Sequence, residues 1–119
     1  MPTVLIVDDD RALVRVLSMY FENEGYQVVT AGSGQEALNQ IRRQRADVIL
    51  LDVMMPDING IEICRRVRFE PDATTAPIVI MTADQRYEAP ALEAGADRFI
   101  SKPFGLEALG KAVRGLVDR

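Results

Sequence analysis

The chain has 119 residues, enough for one domain with a buried core, and its 48% hydrophobic and 27% charged residues place it far from the disordered regime. A formal net charge of −4 supplies no positive field for nucleic acid or anionic lipid, and the absence of histidine excludes histidine-based acid–base catalysis and most zinc sites. No apolar run nears the roughly 18 residues of a membrane helix, no basic leader precedes Val4, and a lone Cys64 cannot form an internal disulfide, so a cytoplasmic protein is expected.

In chain order, Val4-Leu5-Ile6-Val7 reads as a first strand that runs into Asp8 and Asp9. Asp10 suits the N-cap of a first helix, whose stripe of Leu13, Val16, Leu17, Tyr20 and Phe21 stops at Gly25. Tyr26 to Ala31 reads as a second strand. Ser33 with Glu36 then forms a capping box that opens a helix carrying Leu38 and Ile41. A third strand spans Asp47 to Leu51 ahead of Asp52. A loop through Pro56 and Gly60 leads to a helix that buries some of Ile61, Ile63, Cys64 and Val67, ended by Pro71.

Pro77 opens a fourth strand, Ile78-Val79-Ile80-Met81, which runs into Thr82. Between Asp84 and Ala94 the sequence holds a short fourth helix starting near Pro90, since proline is tolerated in a first turn. Phe99-Ile100 forms a fifth strand ahead of Ser101-Lys102, and Leu106, Leu109, Val113 and Leu116 share one side of a fifth helix. Gly110 and Gly115 each cost that helix up to about 1 kcal/mol relative to alanine, so fraying is expected from Val117 to Arg119. Cys64 reads as a reduced core thiol. Arg42, Arg43 and Arg45, like Arg65, Arg66 and Arg68, read as solvated cations that complement their helix dipoles.

This alternation is the βαβ signature of a parallel sheet with helices on both faces. On adjacent parallel strands the carboxyl ends share one edge, where open α/β sheets place ligands at the switch in strand order. Asp8, Asp9 and Asp52 would then meet the Thr82 hydroxyl and the Lys102 ammonium. Three crowded carboxylates either raise a pKa or recruit a cation, and a hard oxygen set with few ligands favours Mg²⁺ over a caged Ca²⁺. Lys102 can neutralise an anion beside the metal, and Thr82 can donate to one of its oxygens. The implied ligand is a phosphoryl group, whose transfer needs a carboxylate, a metal and a cation. Taken singly, Lys102 before Pro103 is an ordinary loop residue and Thr82 an ordinary strand-end turn.

Four motifs complete the reading: V-D-D-D at Val7 to Asp10, L-D-V-M-M-P-D-I-N-G at Leu51 to Gly60, M-T-A at Met81 to Ala83, and A-G-A-D-R-F-I-S-K-P-F at Ala94 to Phe104. Through them almost the whole chain resembles the response-regulator receiver family of two-component signalling. The resemblance implies a flavodoxin-like three-layer α/β sandwich, with a five-stranded parallel sheet of order 2-1-3-4-5 and five helices, as a single receiver domain over 1–119. It implies Asp52 as the phosphoacceptor in a site that holds Mg²⁺, with Mn²⁺ able to substitute. Asp9 and Asp52 would ligate the metal, Asp8 would help through a bound water, and the backbone carbonyl of Met54 would complete the protein ligands.

By the same resemblance Lys102 contacts the phosphoryl group, Thr82 moves toward it, Phe99 is the aromatic switch, and the Lys102-Pro103 bond is cis. The implied donor is a sensor histidine kinase or histidine phosphotransfer protein, and any phosphohistidine belongs to it. A downstream protein would read the surface of helix four, strand five and helix five, with no nucleic-acid or membrane contact from this domain. The chain would be no turnover enzyme and would catalyse only its own phosphorylation and dephosphorylation.

Two departures stand out. The segment from Thr82 to Lys102 is shorter than the family's usual spacing, which points to a truncated fourth helix and an altered output surface. Arg98 replaces the acidic residue often found where receivers pair through helices four and five, so that dimer is not assumed. A Mg²⁺-dependent phosphatase resembling the haloacid-dehalogenase superfamily is a rival reading, but it lacks the acid two positions after the nucleophile, where Met54 stands. An interaction module that has lost phosphorylation is a further alternative.

Overall fold

A computed structural model describes residues 1–43, 45–70 and 74–118. The elements are β1 (Thr3–Val7), α1 (Arg11–Asn23), β2 (Gln27–Ala31), α2 (Gly34–Arg43), β3 (Val48–Asp52) and α3 (Gly60–Phe69), followed by β4 (Ile78–Thr82), a 3₁₀ turn (Gln85–Tyr87), α4 (Glu88–Glu93), β5 (Arg98–Ser101) and α5 (Leu106–Val117). All strand pairs are parallel, and the sheet order is β2-β1-β3-β4-β5. Fold class and strand order are those expected.

Strand alternation divides the core into two layers. Leu5, Val7, Ile49, Leu51, Ile78 and Ile80 face α2, α3 and α4, packing on Leu38, Ile63, Cys64, Val67 and Ala91. Val4, Ile6, Val48, Leu50, Val79 and Met81 face α1 and α5, packing on Leu17, Phe21, Leu109 and Val113. The three central strands are buried on both faces, which is why they read as unbroken apolar runs. The edge strand β2 is less covered, with Gln27 and Thr30 exposed and Val28 and Val29 only partly buried.

Local chemistry sets the element ends. Asp10 caps α1 by accepting from the N–H groups of Ala12 and Leu13 at 3.1 and 3.2 Å. Gly25 ends that helix with φ +95°, a backbone region that favours glycine. Ser33 Oγ accepts from Glu36 N–H as the capping box requires, whereas Glu36 returns its carboxylate to Gly32 N–H rather than to Ser33. Asn59 accepts from Ile61 N–H and caps α3.

Several expectations are corrected. Tyr26 precedes β2, because its N–H donates to Phe21 O at 2.9 Å rather than to the ladder, while its ring meets Phe21 edge-on at 5.4 Å. The third strand starts at Val48 and takes in Asp52. The fourth helix is borne out: it starts at Glu88 after the 3₁₀ turn, and Pro90 lies in its first turn, where the missing N–H removes no intrahelical bond. It remains six residues long. The last helix runs to Val117, and Asp118 N–H donates to Arg114 O at its end. Pro71 and Arg119 lie outside the described residues.

Arg68 is the clearest correction. Arg65 and Arg66 are exposed and paired with Glu62, as surface cations should be. Arg68 is instead 15% exposed and donates to Gly95 O, Thr74 O and Asp97 Oδ2. Its stem lies against Gly95, so the guanidinium can bond backbone oxygens that solvent would otherwise serve.

Candidate functional site

The order reversal falls between β2-β1 and β1-β3, and the polar ends of β1, β3, β4 and β5 open there into one cleft of about 700 Å³. Because Val7 pairs with Leu51, Asp8 emerges beside Asp52. Because Thr82 pairs with Ser101, Lys102 follows at the same edge. Asp8, Asp9, Asp52, Met54, Thr82, Asp84, Arg86 and Lys102 all line the cleft.

Among the described residues Asp8, Asp52 and Thr82 are the buried polar ones, while Asp9 is exposed. Lys102 Nζ donates to Asp8 Oδ2 at 2.7 Å and to Asp52 Oδ1 at 3.3 Å. The remaining oxygen of Asp8 accepts from Asp10 N–H at 2.9 Å. Thr82 Oγ accepts from Asp84 N–H at 3.3 Å, and Lys102 N–H donates to Thr82 O at 2.9 Å.

Burial pushes the Asp52 carboxyl up to about 6; the Asp8 charge adds to the rise and Lys102 opposes it. Burial alone would lower the Lys102 pKa, but the hydrogen bond to Asp8 and the charges of Asp52 and Asp8 outweigh it, and the net direction is upward. Asp84 is held down to about 2 by the Arg86 side chain, which chelates its carboxylate. The site is therefore a partly compensated anionic well.

A hard divalent cation fits this donor set. Asp8, Asp9 and Asp52 can each offer an oxygen with all three atoms within 4.8 Å of one another. One of the carboxylates is solvent-facing in an open cleft, which suits an ion that keeps several waters, as Mg²⁺ does. Met54 is exposed, and its thioether is a soft donor that does not suit a hard ion, so only its backbone carbonyl could serve one; no carboxylate occupies the position two residues after Asp52.

Phe99 is half-buried on β5 opposite Ile80 and packs, with Tyr87, against the α2–α3–α4 layer. The Lys102-Pro103 peptide is cis, as expected. Arg86, at the rim, escaped the sequence reading, since an arginine in an irregular loop carries no periodic signal.

A family model described as the response regulator receiver domain matches residues 4–114. The chain belongs to the response regulator receiver domain family. This receiver is 44% identical to the response regulator MprA of Mycobacterium leprae, over 98% of this chain and 51% of that protein. It spans about half the length of the curated relatives it matches. A two-component response regulator from Clostridium difficile superposes with a TM-score of 0.93 at 30% identity, covering 100% of this chain and 98% of the other. The receiver domain of the sensor histidine kinase PA1611 from Pseudomonas aeruginosa, solved with a magnesium ion coordinated in its active-site cleft, superposes with a TM-score of 0.90 at 27% identity, covering 99% and 98%.

Receivers are signalling switches rather than turnover enzymes, and the acidic cluster of this one is consistent with a phosphoacceptor site. Among the described residues no helix is long and apolar enough to cross a membrane.

Proposed function

We propose that Asp52 takes a phosphoryl group from a phosphohistidine on a sensor kinase or phosphotransfer protein, with the acidic cleft holding Mg²⁺. In the transfer an Asp52 carboxylate oxygen bonds to phosphorus as the P–N bond to the donor imidazole breaks. Asp9, Asp52 and the Met54 carbonyl would ligate the metal and Asp8 would act through a bound water, with Mn²⁺ able to substitute. When bound, the metal supplies positive charge against the oxygens of the phosphoryl group.

The chain's own residues do the rest. Lys102 is the cation for the phosphoryl oxygens, and its ammonium already bridges two of the carboxylates. Thr82 exchanges its present contact with Asp84 N–H for a hydrogen bond donated to the phosphoryl group. That exchange exists only in the phosphorylated state, so it can bias a two-state equilibrium, which Phe99 on the neighbouring strand carries toward α4, β5 and α5. A downstream protein reads the result. The same site catalyses hydrolysis of its own acyl phosphate.

The observation that carries this reading is the Lys102 bridge between Asp8 and Asp52, which joins the ends of β1, β3 and β5. The test is phosphate incorporation from acetyl phosphate with and without Mg²⁺. About one acid-labile phosphate per chain is expected in the wild type with Mg²⁺, and none in Asp52→Asn. Equal labelling of the variant would remove the assignment.

A further inference from the structure

The loop between β3 and α3, residues 53–59, carries Met54 and is fastened at both ends and in its middle. Met55 and Gly60 both donate their N–H to Val53 O, at 3.1 and 2.9 Å. Gly60 presses on the phosphoacceptor's own backbone, since a Cβ there would stand 2.1 Å from Asp52 O. The third attachment leaves the loop altogether. Asp57 reaches to the start of α2, where Oδ1 accepts from Gly34 N–H at 2.7 Å and Oδ2 from Gln35 N–H at 3.0 Å.

These two amides belong to the first turn of a helix, whose N–H groups have no partner inside it, and a carboxylate there also meets the positive end of the dipole. Hydrogen bonds from Gln35 and Gly34 hold the Asp57 carboxyl below its usual range, so it is ionised at neutral pH. Ile58 adds a packing contact, because a Cβ on Gly34 would fall 2.7 Å from Ile58 Cβ. The loop is therefore docked on α2 by one doubly bonded side chain and one apolar neighbour.

We infer that Asp57 is a positioning residue of the metal site: by tying the loop to the first turn of α2, it fixes the Met54 backbone in the orientation that presents its carbonyl to Mg²⁺. The inference rests on the reading of Met54 as a metal ligand. Between Val53 and Gly60 the backbone has few internal bonds, so without the tie the carbonyl must be ordered at the moment the ion binds, and that entropy is charged to metal affinity. A plain helix cap would do something different. Its loss would weaken the fold and leave metal affinity unchanged.

Mg²⁺ titration calorimetry on the whole chain separates the two, with wild type, Asp57→Ala and Asp57→Asn compared and thermal unfolding in a chelator as the control. Groups that orient metal ligands are worth 10–100-fold in affinity, and a tie acting through the backbone belongs at the lower end, about tenfold for Asp57→Ala. Asp57→Asn keeps one acceptor oxygen and should fall between; it also serves if the alanine variant does not fold. Phosphate incorporation should recover its maximal rate at saturating Mg²⁺. Unchanged Mg²⁺ affinity in a folded variant overturns the inference, even where the unfolding temperature drops. A wild-type chain that takes up no Mg²⁺ overturns the underlying reading instead, so the two failures are distinct.

Discussion

Lys102 stands closer to Asp8 than to Asp52, with its Nζ 2.7 Å from the first carboxylate and 3.3 Å from the second. The shorter, stronger bond is spent on the residue at the end of β1, which leaves the carboxyl at the end of β3 less compensated while it is 5% exposed. Burial, with the Asp8 charge adding to it, pushes Asp52 up to about 6, and the longer Lys102 contact offsets this only in part. A metal-free site thus keeps its proposed nucleophile poised for a further cation.

That raised value makes metal-free stability depend on pH. Asp52 holds its proton up to about 6 in the folded chain but only to 3.8 as an ordinary aspartate, so the native state binds more protons between those values. Its contribution therefore falls as pH rises through that window, by about 3 kcal/mol at most. Urea unfolding in a chelator should show this decline in wild type and lose it in Asp52→Asn, which should be the more stable protein at pH 7. Equal pH profiles for the two proteins would contradict it.

Gly60 and Gly115 should respond oppositely to alanine. A Cβ on Gly60 would lie 2.1 Å from Asp52 O, a backbone atom that cannot rotate away, so Gly60→Ala must displace β3 or α3. The expected loss is about 1–3 kcal/mol or more, together with slower phosphate incorporation. Gly115 in α5 faces open space, and Gly115→Ala should gain up to about 1 kcal/mol from helix propensity alone. Thermal unfolding of both variants checks the pair.

Cys64 should be inert in the native state. It is buried, it donates to Ala94 O at 3.5 Å, and burial pushes its thiol up to about 11, so almost no thiolate exists at neutral pH. Alkylation by iodoacetamide is expected only after denaturation. Rapid labelling of the folded chain would show that the α3–α4 side of the core opens.

The sheet and its site were legible because each strand announces itself twice, by an apolar run and by the polar residue that ends it. Asp8, Asp52, Thr82 and Lys102 fall at one edge by topology alone once the runs are parallel. Asp57 and Arg68 were not legible. The partners of Asp57 are backbone amides 22 and 23 residues away, and those of Arg68 include Gly95 and Asp97 across a helix, so neither leaves a local pattern. Arg68 even fits the pattern of a solvated helix-end cation, and only its docking on Gly95 overrides that.

The proposed chemistry is tested most directly by trapping the acyl phosphate. After reaction with acetyl phosphate and Mg²⁺, borohydride reduces an aspartyl phosphate to homoserine, and peptide mass spectrometry then locates the altered residue. One modified position is expected, residue 52. Homoserine at residue 8 or 9, or no conversion in a chain that binds Mg²⁺, would contradict it.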